Sequence, residues 1–281
     1  MLGNACRLVF SEDPNIELIS TSRQHMDGFE QFDVLTDSAD ILIQKIKPDW
    51  IINCIGIIKP HIQENSSESV DIAIMVNSHF PHGIEKVIRD TKIKVIQIAT
   101  DCVYSGKEGE YLEKAPHDPT DVYGKTKSLG EVTSERFLHI RASIIGPEVG
   151  RSTSLQEWFL GQPIGSTVNG FTDHLWNGLT THHFALLARA AVANDLNAFG
   201  THHVLPSNIL SKAQLLDTFA EVHGRQDITV NHVLSPNKID RTIGTIEIEF
   251  SNHLWELAGY GEPPTIQQMV LEQKIYMDLH K

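Results

Sequence analysis

Three apolar runs set the terms on which this chain can fold. Trp50 to Gly56 (WIINCIG), Lys94 to Asp101 (KVIQIATD) and Leu138 to Gly146 (LHIRASIIG) are rich in apolar residues and include consecutive apolar pairs, Ile51-Ile52, Val95-Ile96 and Ile144-Ile145. A strand reads that way when both of its faces are buried. The segments before and between them have helical character: SADILIQKIKPD with Pro48 just past its end, SVDIAIMVNSHFPHGIEKVIRD with an interruption near Pro81, and YGKTKSLGEVTSERF. Ile16 to Ser20 (IELIS) reads as an earlier strand. Buried strands alternating with helices make a parallel sheet covered on both sides, a doubly wound α/β fold.

Beyond Gly146 the pattern loosens. STSLQEWFL reads as a short helix and GLTTHHFALLARAAVAN as a turn into a helix. GTHHVLPSNILSKAQLLDTFAEVHG reads as a strand followed by a helix with Ser211 as its cap. The expected division is a doubly wound domain over residues 1–146 and a smaller α/β lobe over 147–281, parts of which return to the first domain.

In doubly wound folds ligands bind at the carboxyl ends of the strands. Arg23, Gly56 and the pair Thr100-Asp101 follow successive apolar runs. Tyr123 and Lys127 then stand at i,i+4 spacing, which puts them on one helix face. An ammonium beside a phenol favours phenolate and lowers a pKa of about 10 toward the range of proton transfer. Thr100 is placed to hydrogen-bond the same substrate oxygen. The alternative is a tyrosine and a lysine sharing an ordinary helix face.

Composition narrows the partners. A net charge of −13 over 281 residues argues against a nucleic-acid surface, which needs cations for phosphates. No apolar run approaches the roughly 18 residues of a membrane span, and no signal peptide is evident. Cys6, Cys54 and Cys102 form no CxxC pair, so a reducing, cytoplasmic setting is expected. Of 15 histidines, His182-His183 and His202-His203 are adjacent, but no HxxxH accompanies them and no metal site is expected.

The stretch TDCVYSG…DVYGKTKSLGE resembles the extended short-chain dehydrogenase/reductases that act on nucleotide sugars, most of all the dTDP-4-dehydrorhamnose reductase-like branch. KPDWIINCIGIIKP, MVNSHFP, HIRASIIGPEVG, SLQEWFL, NGLTT and DRTIGT extend the resemblance nearly end to end. It implies a Rossmann-like fold and NAD(P)-dependent reduction of a nucleotide-linked 4-keto sugar. Tyr123 would be the acid that protonates the carbonyl oxygen. Lys127 would lower the tyrosine pKa and bond the nicotinamide ribose, and Thr100 would position the substrate. Asn77 would organise water or backbone around the lysine, or else be only a helix-bending polar residue near Pro81.

Further cofactor contacts follow from the same resemblance. Asp33-Val34 would flank the adenine, and Cys54-Ile55-Gly56 would line the cofactor. Arg23 lies where a cation meets a 2′-phosphate, which favours NADP slightly over NAD; otherwise it is a solvated loop arginine. Asp101, Trp158, Asn177 and Arg241 are the expected substrate contacts, against a core tryptophan, a turn asparagine and a surface arginine for the last three. A homodimer stays open. Nucleotide-sugar epimerases share the same Thr-Tyr-Lys set. Dehydratases carry Asp-Glu after the threonine, whereas Asp101-Cys102 follows Thr100 here, which disfavours dehydration. A non-catalytic homologue is the other alternative, because the regulatory beta subunit of methionine adenosyltransferase resembles the same reductases.

The start of the chain departs from this pattern. Family members open with a strand and GxxGxxG, which seats the pyrophosphate on a helix N-terminus. Met1-Leu2-Gly3 matches only the end of that motif, with Gly3 as its third glycine, and the sheet is expected to be N-terminally incomplete, with two strand edges exposed. The favoured reading is a start at an internal methionine of a longer protein, because the other site residues are intact. The other is a degenerate member that binds cofactor weakly.

Overall fold

The computed structural model describes residues 1–148 and 153–280. Val149, Gly150 and Ser152 of the stretches quoted above lie outside the described residues. Helix α1 (Leu2–Ser11) comes first, and its Leu2, Ala5, Cys6, Val9 and Phe10 recur on one buried face. Strands β1 (Ser20–Ser22) and β2 (Phe29–Gln31) pair in parallel. Helix α2 (Ala39–Ile46) ends at Lys47 with φ 53°, one residue before Pro48, which cannot continue a helix. Then follow β3 (Trp50–Asn53), α3 (Ser67–Ile74), α4 (Phe80–Ile88), β4 (Lys94–Ala99), α5 (Val122–Leu129) and β5 (Phe137–Arg141).

The second half supplies β6 (Ile144–Ile145), α6 (Leu155–Leu160), β7 (Thr167–Phe171), β8 (Leu175–Trp176), β9 (Leu179–Thr180) and α7 (Thr181–Ala193). After these come β10 (Gly200–His203), β11 (Leu210–Ser211), α8 (Lys212–Val222), β12 (Thr229–Val233), α9 (Ile248–Leu257) and α10 (Ile266–Leu279). The main sheet has the order β10-β5-β4-β3 with every neighbour parallel. Its outer strand β10 comes from the second half and runs beside β5. Strands β1 and β2 form a separate ladder, and among the described residues no ladder joins either to β3.

The apolar runs work as both-face strands. Val95 and Phe137 point into a cluster with Ile43, Ile84, Ile88 and Val132. Their neighbours Ile96 and Leu138 point the other way, into a larger cluster with Val9, Phe10, Phe184, Leu187 and Trp255. The parallel α/β fold predicted from those runs is therefore the one that forms.

Several element boundaries differ from the sequence reading. Ile16 and Leu18 pack on the larger cluster, but the backbone finds a ladder partner only at Ser20–Ser22. The interruption expected near Pro81 in the helix from Ser69 to Asp90 is a π turn at Met75–His79. Helix α5 stops at Leu129 instead of running to Phe137, because Gly130 is pressed against α3–α4. A Cβ there would lie 1.9 Å from the Asn77 carbonyl oxygen. The Leu138–Gly146 strand is two strands, since the Ser143 carbonyl leaves the sheet line to accept from Leu179 N at 2.8 Å. Ser211 caps α8 in a reciprocal capping box with Gln214.

Beyond β5 lies a buried charged network. Arg141 donates to Glu131 at 3.0 and 2.5 Å and to the Tyr104 hydroxyl at 2.7 Å, and contacts ring nitrogens of His203 and His117 at 2.9 Å. Burial holds both His139 and His203 down at about 4. No helix of the described residues is long and apolar enough to cross a membrane.

Two outcomes are expected. Gly130→Ala should destabilise the fold by about 2 kcal/mol through overpacking, read as a lower urea midpoint; an unchanged midpoint would show the contact relaxes freely. The second concerns pH. An unfolded histidine takes up its proton near 6.5, whereas folded His139 and His203 resist it down to about 4. Stability from these two groups is complete above about pH 6.5 and declines as the pH falls toward 4. Urea midpoints at pH 7 should exceed those at pH 4.5.

Candidate active site

The site is assembled where β4 ends and α5 begins. Thr100 follows β4 and caps a short turn over Asp101–Val103, its hydroxyl accepting from Cys102 N at 3.2 Å. Asp121 caps α5 by accepting from Gly124 N at 2.8 Å, and its other oxygen pairs with Lys59 at 2.9 Å. Helix and turn are in close contact: a Cβ on Gly124 would stand 2.2 Å from the Cys102 carbonyl oxygen. Only glycine permits that approach. It places Tyr123 beside Thr100, whose hydroxyl is among the groups acting on the phenol.

Burial raises the Tyr123 pKa above its usual value, Cys102 and Asp101 push the same way, and Thr100 opposes them. The phenol therefore keeps its proton at neutral pH. One turn on, the buried Lys127 ammonium donates to the Ile98 carbonyl at 2.8 Å. Burial pulls it down to about 8, against upward pulls from Glu131 and Cys54. Lys127 is not among the groups that set the phenol's acidity in this geometry.

Asn77 lies inside the π turn and is 2% exposed. Its Oδ1 accepts from Ile57 N at 2.8 Å, and its Nδ2 donates to the Ile57 carbonyl at 2.9 Å and to the Thr126 hydroxyl at 3.1 Å. It thus joins the loop after β3 to the helix that carries Tyr123 and Lys127. The same loop brings Gly56 against Asn77, with a Cβ–Oδ1 approach of 3.4 Å. Ile55 N donates to Asn53 Oδ1 at 3.1 Å. The start of α1 meets this corner, because a Cβ on Gly3 would lie 3.7 Å from Cys54 Cβ. The Cys6 and Cys54 sulfurs are 3.7 Å apart, and that contact together with burial pushes the Cys6 thiol well up.

On the substrate side, burial raises the Asp101 carboxyl while Arg241 and Lys212 draw it down. Arg241 Nε donates to the Tyr104 carbonyl at 2.9 Å. Asn177 uses its amide on the backbone of Ile243, donating to the carbonyl at 2.7 Å and accepting from the N–H at 3.1 Å. It reaches the site only through the segment bearing Arg241. Trp158 is 40% exposed on α6, and the described residues give it no ring or polar contact with Thr100, Asp101 or Tyr123. Arg23, Asp33 and Val34 belong to the separate β1–β2 unit. Arg23 is exposed after β1, and Asp33 accepts from Leu35 N at 2.9 Å. Val34 borders a cavity of 280 Å³ with Met75, His79 and Phe80.

One neighbour of the site was not foreseen in the sequence. Lys212 is the first residue of α8, and it interacts with Asp101, Cys102 and Arg241. A cation opposes the helix dipole at that end. This misplaced charge directly after the Ser211 cap was the available signal.

The parallel sheet and this corner define the chain as a short-chain dehydrogenase/reductase-like protein. It belongs to the RmlD substrate binding domain family, whose profile matches residues 1–146. The chain is 33% identical to methionine adenosyltransferase 2 subunit beta of Xenopus laevis over 132 residues, 47% of this chain and 39% of that one. It is 26% identical to dTDP-4-keto-6-deoxy-D-glucose reductase of Streptomyces niveus over 118 residues, 42% of this chain and 38% of that one. These matches span well under half of either relative's length. Among solved structures, a dTDP-4-dehydrorhamnose reductase from Clostridium acetobutylicum superposes with a TM-score of 0.75 at 20% identity, covering 99% of this chain and 95% of that one. The reductase of the same name from Bacillus anthracis, in complex with NADP, gives 0.69 at 16% identity over 90% and 92%. Such identities establish a shared fold.

Burial and Asp101 push the Cys102 thiol up to about 12. Cys102 should therefore resist iodoacetamide at pH 8 in the folded protein and react once the chain is unfolded in urea. Rapid native labelling of Cys102, read by peptide mass spectrometry, would contradict the site geometry.

Proposed function

We propose that the chain is an NAD(P)-dependent reductase of a nucleotide-linked 4-keto sugar. The observation that carries this reading is the convergence of Thr100, Tyr123 and Lys127 at the carboxyl end of β4. There a phenol that holds its proton lies beside a hydroxyl able to bind the same substrate oxygen. In this reading residues 1–146 are the dinucleotide domain and 147–281 the substrate lobe.

The corner suits a dinucleotide. Helix α1 begins without a side-chain cap, so its first N–H groups are available to a phosphate, and Gly3 sits against Cys54 at the end of β3. Gly3, Cys54, Ile55, Gly56, Asn77 and Lys127 would line the cofactor on this side, with Arg23, Asp33 and Val34 toward its adenosine end. When bound, the nicotinamide supplies a hydride to the carbonyl carbon. Thr100 holds the carbonyl oxygen, and Tyr123 donates its proton to that oxygen as negative charge develops there. The Lys127 ammonium, anchored on Ile98, would bond the nicotinamide ribose. Asn77 acts by fixing the loop and α5 relative to each other. Asp101, Arg241 and Trp158 face the sugar nucleotide, and Asn177 supports Arg241 through Ile243. Dehydration is disfavoured, since the residue after Asp101 is a thiol raised to about 12 rather than a carboxylic acid.

A second reading is a binding subunit without turnover, supported by the 33% identity to methionine adenosyltransferase 2 subunit beta. The discriminating experiment follows NADPH and NADH consumption with dTDP- and UDP-linked 4-keto sugars. Under the reductase reading, Tyr123→Phe lowers kcat by about 10²-fold or more and leaves cofactor affinity nearly unchanged. A wild-type chain that binds the cofactor yet turns over none of these sugars would favour the binding subunit.

A further inference from the structure

Lys212 and Arg241 are brought together by three short backbone contacts. Strands β8 and β11 are antiparallel with Leu210 opposite Trp176 and Ser211 opposite Leu175. Lys212 N extends that ladder by donating to the His174 carbonyl at 2.8 Å. On the other side of β8, Leu175 bridges to Asp240, the residue before Arg241. This arrangement puts the Lys212 ammonium 5.6 Å from the centre of the Trp176 ring and sets Arg241 against Gly106, with a Cβ–Cγ approach of 3.0 Å.

Both cations are half-buried, and both have donors to offer. Among the described residues Lys212 Nζ makes no hydrogen bond and no ion pair within 4 Å, and Arg241 uses only Nε, on the Tyr104 carbonyl. The Trp176 indole N–H is buried and likewise lacks a partner. Among the described residues Asp101 interacts with both cations, and Asp121 interacts with Arg241 while pairing with Lys59 at 2.9 Å. A half-buried ammonium without a partner is costly, and at the first position of α8 the helix dipole raises that cost. In a protein of net charge −13, three cations here, Lys212, Arg241 and Lys59, stand against the two carboxylates Asp101 and Asp121.

We infer that Lys212 binds the diphosphate of the sugar nucleotide, with Arg241 as its partner cation and Trp176 as the floor beneath it. The inference rests on the nucleotide-sugar reading above and adds to it a residue and a role. A diphosphate supplies the acceptor oxygens and negative charge that the corner lacks. Held there, it leaves the attached sugar to extend toward Thr100 and Tyr123, beside Asp101.

The test is calorimetric binding of dTDP and UDP to the full chain at pH 7 and pH 9, with NADPH titrated in parallel. The groups facing Lys212 are Asp101, Cys102 and Arg241, together with the Trp176 ring and the His174 backbone. Burial draws Lys212 down to about 8 and lies first among the causes, while Cys102 stands at about 12. Between pH 7 and 9 the lysine therefore loses its proton and the thiol does not. Nucleoside diphosphate affinity should fall up to about tenfold over that interval in the wild type. It should stay level in Lys212→Arg, whose charge persists. Lys212→Met should bind about tenfold or more weakly at pH 7, with a urea midpoint no lower than that of the wild type and unchanged NADPH affinity. Wild-type affinity in Lys212→Met, or an equal pH loss in Lys212→Arg, overturns the role of Lys212 alone. If the wild type binds neither dTDP nor UDP, the nucleotide-sugar reading falls and takes this inference with it.

Discussion

The carboxamide of Asn77 is the joint on which the site depends. It sits in a π turn, where an extra residue in the helix swings the side chain out of the regular ladder. From there it satisfies both backbone groups of Ile57 and reaches the Thr126 hydroxyl. A buried amide with three partners of fixed direction admits only one relative placement of its neighbours. The loop after β3 and the helix carrying Tyr123 and Lys127 therefore cannot shift independently. Ser78 repeats the tie by donating to the Thr126 carbonyl at 2.7 Å. Two glycines complete the arrangement, Gly130 against the Asn77 carbonyl and Gly124 against that of Cys102.

The sequence was most legible where the physics is local and repetitive. Strands β3, β4 and β5 announced themselves because consecutive residues such as Val95 and Ile96 must satisfy opposite apolar faces. Tyr123 and Lys127 were visible because i,i+4 spacing maps directly onto one helix face. The boundaries that escaped were fixed by tertiary contact. Nothing in SLGEVTSERF says that a carbonyl from another helix lies where the Cβ of residue 130 would be. The break in the Leu138–Gly146 run depends on Leu179, far along the chain. The placement of Lys212 was likewise set by a β8–β11 pairing only two residues long, too short to show in periodicity.

Charge is distributed unevenly with respect to burial. Overall acidity describes the surface, whereas the interior around β5 and the end of β4 is organised by cations: Arg141 ringed by acceptors, Lys127 on a carbonyl, Lys212 and Arg241 beside Asp101. An anionic ligand would thus pass through a repulsive exterior before meeting attraction at short range. Such a field favours ligands that bring several directed contacts over those that bring charge alone.

The separation of β1–β2 from the main sheet bears on how the molecule loses structure. A parallel ladder of three residue pairs has little stability of its own in water. Its order is borrowed from packing, through Ile16 and Leu18 on the larger cluster and Phe32 against Phe80 at 5.8 Å between ring centres. The stretch bearing Arg23, Asp33 and Val34 can therefore open without the rest, in a partial unfolding that costs less than the global one. A ligand gripping both this stretch and the end of β3 would act as a splint across the two sheets, so that part of its binding energy would appear as slower exchange of the β1 and β2 amides.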